Sequence, residues 1–217
     1  MAIKKELKEL LSALRAMLTL IVLLGVLYPL LTTGIGQLAF PGNANGQQVY
    51  VDGKLVGSKI IGQNFSTPVY KDGKEQTSDG SPLTAPDPRY FQSRPSGDDY
   101  NSASTAFANY GPNSIVTEKA IASNIAGYIA LNGSYYPGGL TAGKIPVDAA
   151  DTSASGVDPG ISVANARIQA YRIAAVRHLS LAKVDALIAQ YTAARGLGFS
   201  GEPSVNVLQL NLALDRL

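Results

Sequence analysis

Few residues in this chain have the type and spacing that chemistry needs. Gly138 to Lys144, GGLTAGK, carries the Gly-x4-Gly-Lys spacing with which backbone N–H groups and a lysine cradle phosphates. Its context opposes that use: Ile145 stands where a Ser or Thr hydroxyl would hold magnesium, and Pro146 falls where a helix should begin donating N–H groups. A glycine turn before a short strand at Ile145 to Asp148 is the expected reading. His178 is the only histidine, so a histidine metal cluster cannot form. No Gly-x-Ser-x-Gly elbow supplies a nucleophile for a triad, which leaves an anchored hydrolase without an assembled nucleophile and base. His178 is instead expected at a helix C-terminus, where it meets the helix dipole. Asp148, Asp151 and Asp158 lack the spacing and terminal Glu of a calcium loop and read as turn and cap residues. The absence of cysteine excludes thiol catalysis, disulfides and cysteine metal sites. With a net charge of +2 and no basic block after the N-terminus, the chain has no electrostatic footprint for nucleic acid.

The strongest organising signal is apolar. No charged side chain occurs between Arg15 and Asp52, and Ala16 to Leu31 is almost wholly aliphatic. Residues 13–33 supply the roughly 20 residues that cross a hydrocarbon core, with Arg15 snorkelling toward the head groups. Lys4, Lys5, Lys8 and Arg15 precede this run and no Lys or Arg follows until Lys54, so residues 1–12 are expected in the cytoplasm and 34–217 outside. Tyr28 reads as an interfacial anchor, and Pro29 as a proline near the last turn. A cleaved signal peptide is the alternative, opposed by the length of the run and by the lack of an Ala-x-Ala site.

The remaining residues suffice for one domain with a real core. Gln47 to Gly57 reads as a hairpin turning at Asp52-Gly53. Residues 66–112 form a loop-rich insertion, in which Pro68, Pro82, Pro86, Pro88, Pro95 and Pro112 are scattered, and 66–86 is expected to be mobile. Asn113 or Ser114 caps a helix to about Asn132, Ser162 a second to about Leu179, and Ser180 a third stopped near Gly196, the last two forming a hairpin. In the run from Val205 to Leu214 the apolar parity changes between Val207 and Leu208, which predicts a bulged strand or a switch into a terminal helix. The fold class is α+β: one transmembrane helix followed by a single mixed α/β extracytoplasmic domain.

Several strings occur in a fixed order along the chain: YPLLTTGIGQ (28–37), IGQNF (61–65), RYFQSRPS (89–96), PVDAADTSASGVDPGIS (146–162) and GEPSVNVLQLNLALD (201–215). In these the chain resembles the C subunit of the bacterial Kdp-type potassium-transporting ATPase. The resemblance implies a non-catalytic subunit of an ATP-driven potassium uptake pump in the bacterial inner membrane. Its implied partners are a channel-like potassium-conducting subunit, a P-type ATPase subunit, a small membrane peptide and the surrounding lipid. It also implies a role in assembly and as a catalytic chaperone promoting ATP binding; ATP and potassium are used by the complex, and no cofactor is bound directly by this chain. An independent membrane-anchored binding module, suggested by the Tyr-rich stretch from Tyr90 to Tyr110, is the competing expectation. The chain departs from the family in the length of 66–86, in Asn101 to Thr105, and in Tyr171, which stands where a proline is usual.

Gln63, Asn64, Phe65, Arg94 and Asp158 within the family-like strings, and Arg172, the middle residue of a family-like Q-x-x-R-x-x-x-x-R pattern at Gln169, Arg172 and Arg177, are the candidate partner-interface or loop-organising residues. The competing role for the polar ones is to satisfy backbone groups inside the domain. Arg172 and Arg177 are expected to pair with internal carboxylates or to form a solvated helix face. In the membrane helix Thr19 and Gly25 are candidates for close packing against a neighbouring helix.

Overall fold

The computed structural model describes residues 2–78, 80–105, 109–111 and 113–217, so Asp79, residues 106–108 and Pro112 of the expected insertion lie outside the described residues. It divides into two units, one reaching to Gln48 and the other Val49–Leu217.

The first unit is helical: α1 (Ala2–Val22), a π turn (Leu23–Leu27), α2 (Tyr28–Ala39) and a short α3 (Pro41–Ala44). The run Lys4–Ala39 is 36 residues long and apolar enough to cross a membrane. At 1.5 Å per residue it spans about 54 Å, more than a hydrocarbon core requires. Pro29 is therefore not near the last turn, because the helix continues to Ala39. The π turn makes this possible. A proline inside an α-helix lacks its own N–H and clashes with the carbonyl four residues earlier, here Gly25. The Tyr28 N–H reaches past Leu24 to the Leu23 carbonyl, and the widened turn accommodates the ring.

The second unit carries the core. In β1 (Gln48–Val51) and β2 (Lys54–Ser58) the expected hairpin is present, with Asp52 and Gly53 at φ +49° and +77°. Within 66–86, expected as loop, the described residues pair as a clover of three hairpins: β3 (Ser66–Pro68) with β8 (Thr84–Pro86), β4 (Tyr70–Lys71) with β5 (Lys74–Glu75), and β6 (Thr77–Ser78) with β7 (Ser81–Pro82). Three backbone bonds of 2.8 Å close its centre in a ring: Val69 N–H to Leu83 O, Leu83 N–H to Gln76 O, and Gln76 N–H to Val69 O. Asp72-Gly73, at φ +53° and +74°, repeats the turn chemistry of Asp52-Gly53. Hydrogen bonding rather than apolar burial organises this segment.

Beyond it lie α4 (Ile115–Asn132), a 3-10 turn (Ala142–Lys144), α5 (Val147–Ala150), β9 (Gly160–Ser162), α6 (Val163–Val176), α7 (Leu181–Gln190), β10 (Thr192–Ala193), β11 (Ser204–Asn206) and α8 (Val207–Leu214). Ser114, Ser162 and Ser180 cap α4, α6 and α7 as expected, accepting from Val116, Asn165 and Lys183 N–H. Two further expectations are corrected. Ile145 to Asp148 is not a strand: Pro146 at the N-cap and Asp148 in the first turn start α5 instead. The third helix stops at Gln190 rather than near Gly196, because Thr192 and Ala193 pair with Val205 and Ser204. Of the two alternatives for the C-terminus, the switch to helix holds, with the Asn206 side chain capping α8 through Gln209 N–H.

The antiparallel sheet β10–β11–β9 pairs Val205 with Ile161 and with Thr192. Its buried residues join Ala166, Ala170 and Ile173 of α6, Val184 and Ile188 of α7, and Leu210 and Leu214 of α8 in one core. Phe91, fully buried, is inserted into that core from an irregular strap.

Candidate functional site

The strap Pro88–Gln92 runs across α6 and α8 without belonging to a sheet, so its backbone must find side-chain partners. Asn211 supplies two, its Oδ1 accepting Phe91 N–H at 2.9 Å and its Nδ2 donating to Phe91 O at 2.9 Å. Gln169 does the same for Gln92, at 2.7 and 3.0 Å. Arg172 donates to the carbonyls of Pro88 and of Tyr90, and Arg177 to that of Arg89 at 2.7 Å. Helix side chains thus replace a neighbouring strand.

These residues continue into a buried polar network. Arg172 also donates to Asn132 Oδ1 and Gln169 Oε1, each at 2.9 Å. Gln169 Nε2 donates to Asn165 Oδ1 at 2.9 Å, and Asn165 Nδ2 to Asp148 Oδ2 at 3.0 Å. Asp148 completes the chain by accepting Ser162 N–H and Oγ at 2.8 and 2.7 Å. Arg172 is 0% exposed. Burial pushes its pKa down to about 10, still charged at neutral pH. The expected pairing with an internal carboxylate holds for Arg177, 2.8 Å from Asp215, but the acceptors bonded to Arg172 are neutral carbonyl and amide oxygens. Peptide and amide dipoles, not a counter-ion, hold this guanidinium.

Where the strap emerges, the other candidates meet. Gln63, Asn64, Phe65 and Arg94 line one cavity of about 190 Å³, together with Ser96 and Tyr100. Gln63 Nε2 donates to Val56 O at 2.7 Å. Asn64 joins Asp99 Oδ1 at 2.7 Å and Ser66 Oγ at 2.5 Å. The Phe65 ring lies 6.0 Å from Tyr90. Arg94 ties this wall to the 151–158 loop, donating to Thr152 O at 2.9 Å and lying 3.4 Å from Asp158 Oδ2. Asp158 in turn accepts Gly160 N–H at 2.9 Å, the turn role expected of it. Tyr100 donates to Arg94 O at 2.6 Å, and burial pushes its phenol up to about 12. Arg172 lies apart from this cavity, inside the polar network.

Gly62 fastens the same wall. Its N–H bonds Val157 O at 2.8 Å, and a Cβ there would overlap the Asp158 carbonyl oxygen and lie 2.6 Å from Tyr100 Cε1. Backbone cannot yield as a side chain can. Gly62→Ala is expected to lower stability by about 2–3 kcal/mol, read as a fall in urea midpoint, with Gly42→Ala as a control whose Cβ meets nothing.

At the start of the strap Asp87 is buried and Arg89 Nη2 lies 2.6 Å from its Oδ2. The hydrogen bonds from Arg89, outweighing burial, hold the Asp87 carboxyl below its ordinary 3.8. A depressed carboxyl stabilises the fold above the unfolded-state pKa and loses that contribution as pH falls through the folded-state value. The stability gap between wild type and Asp87→Asn should stay constant from pH 8 to about pH 5 and close below about pH 4; urea titrations across that range measure it.

The sequence-level chemistry is placed elsewhere. Gly138 and Gly139, at φ +72° and +80°, make a turn in which Lys144 Nζ donates to Gly139 O and lies 5.2 Å from the Tyr136 ring centre. The 3-10 turn that follows ends at Lys144, so neither a phosphate-binding helix nor the expected strand succeeds it. His178 lies just past the end of α6, in the turn at φ +56°, and is exposed. Among the described residues no three His, Cys, Asp or Glu side chains are grouped to hold a metal. Tyr171 packs edge-on against Tyr136 at 5.4 Å. Thr19 Oγ1 donates to Arg15 O at 2.9 Å, and Gly25 sits in the π turn. What sequence reasoning missed are Gln92 in the strap and Asn132, Asn165 and Asn211, the signal of these three asparagines being polarity inside otherwise apolar helix faces.

Among the described residues the arrangement braces loops, with no nucleophile and base assembled in it. A family model described as "KdpC: K+-transporting ATPase, c chain" matches residues 10–216. The potassium-transporting ATPase KdpC subunit of Mycobacterium tuberculosis H37Rv is 42% identical over 213 residues, covering 97% of this chain and 99% of the relative. That of Methylococcus capsulatus is 42% identical, covering 94% and 96%. That of Methylibium petroleiphilum is 43% identical, covering 94% and 95%. With the family model spanning the membrane helix, the strap and the C-terminal helix alike, the chain belongs to the KdpC family, the c chain of the K+-transporting ATPase.

Proposed function

We propose that this chain is the accessory subunit of a bacterial potassium uptake pump, anchored in the inner membrane by the helix at residues 13–33 with its N-terminus in the cytoplasm and residues 34–217 outside. Catalysis belongs to a P-type ATPase subunit, and a channel-like subunit conducts potassium, with a small membrane peptide completing the complex. The observation that carries this reading is the family match from residue 10 to residue 216, which includes the membrane helix as well as the folded domain. The strap and the 61–65 segment support it physically: their polar groups are spent on holding loops, leaving the cavity wall around Gln63, Asn64, Phe65 and Arg94 as a preformed surface for a partner.

The subunit assists assembly and raises the affinity of the ATPase subunit for ATP. With the domain outside, that effect travels through the complex as a coupling free energy rather than by contact with nucleotide. Removing the chain from the assembled pump should weaken ATP binding by about 5-fold or more, the usual scale of such coupling, and restoring it should recover the affinity. Unchanged ATP affinity without the chain contradicts the chaperone role.

A further inference from the structure

The π turn leaves a gap in the helix ladder near the middle of the span at residues 13–33. Leu24 O would ordinarily accept from Tyr28 N–H, but that group bonds Leu23 O. The next candidate, residue 29, is a proline without an N–H. The hydroxyls that fill such gaps locally are engaged elsewhere: Thr32 Oγ1 donates to Tyr28 O and Pro29 O, and Thr19 Oγ1 to Arg15 O. In hydrocarbon an unsatisfied carbonyl cannot turn to water, and lipid tails have no donor. Leu24 and Gly25 also close one end of a shallow groove along the helix, with Ala13, Ala16 and Leu20 on the same face.

Resting on the membrane topology proposed above, we infer that a membrane helix of another pump subunit lies against this face and donates a side-chain hydrogen bond, from a hydroxyl or an amide, to the backbone at Leu24. A second copy of this chain is the poorer fit. Packed in parallel it would face Leu24 with Leu20 to Leu27, a stretch with no side-chain donor. Gly25, where an added Cβ would meet only Ile21 Cγ2 at 4.0 Å, leaves the backbone open to approach.

The test uses the full chain in membranes of cells producing the complete pump. A photo-reactive benzoylphenylalanine replaces Leu24, or Met17 on the same face, or Val22 on the opposite one. The expected result is an adduct with one other subunit from 24 and 17, at least 5-fold stronger than from 22, mapping to a helix with Ser, Thr, Asn or Gln at that depth. Changing that donor to its apolar counterpart should lower co-purification at least 10-fold with wild-type chain but less than 2-fold with Pro29→Ala, whose restored N–H makes the donor redundant. Adducts only with lipid or with a second copy of this chain, equal yield from 22, a mapped helix without a donor, or the same loss in both backgrounds would overturn the inference. If wild-type chain recovers no ATPase subunit at all, the functional reading itself fails; recovery with any of those outcomes defeats this inference alone.

Discussion

Replacing Arg172 by methionine is expected to lower the stability of the domain by about 3–5 kcal/mol. At about 2–4 °C per kcal/mol for a domain of this size, the melting temperature should fall by roughly 6–20 °C. Methionine nearly fills the space but donates nothing. The Pro88 and Tyr90 carbonyls and Asn132 Oδ1 then lose the guanidinium, while Gln169 Oε1 keeps Gln92 N–H. Recovering the desolvation of one buried cation offsets part of this loss but not all, since several acceptors remain buried. Arg172→Lys should rescue little, because a single ammonium cannot span positions that a planar fork reaches together. A fall of less than 1 kcal/mol would mean that the strap holds without Arg172.

Phe91→Ala should cost a similar amount, about 3–5 kcal/mol, through the loss of apolar burial and the cavity left behind. The ring is 0% exposed among Ile173, Leu210 and Leu214. Its backbone bonds to Asn211 remain possible in the variant, so a double-mutant cycle with Asn211→Leu separates ring packing from strap bonding. The two changes should couple by more than 0.5 kcal/mol, as expected for neighbours. Both variants should also reduce recovery of the assembled pump, since the strap leads directly into Arg94 and Ser96 at the cavity wall.

What was legible in the sequence was local. Asp52-Gly53 states its turn in the dipeptide, Ser114, Ser162 and Ser180 state three helix starts, and the parity change after Val207 marks the passage from β11 to α8. The apolar helix is explicit in composition alone. The remainder depends on partners distant in the chain. The clover closes through backbone bonds among Val69, Gln76 and Leu83, about which their side chains say nothing. The third helix ends early because Thr192 pairs with Val205, a contact absent from any window around Gln190. Of the candidate residues, Gln63, Asn64, Phe65 and Arg94 converge on one cavity, and Asp158 braces it. Arg172 carries the opposite lesson: a family-like Q-x-x-R-x-x-x-x-R pattern marked it, but only the fold reveals that its acceptors lie 82 and 40 positions away, at Tyr90 and Asn132.

Affinity recovery of the tagged chain from native membranes decides whether it works as a subunit of a potassium pump. The predicted result is a stable complex containing a P-type ATPase subunit and a potassium-conducting subunit. Recovery of the chain alone, folded and intact, would contradict it.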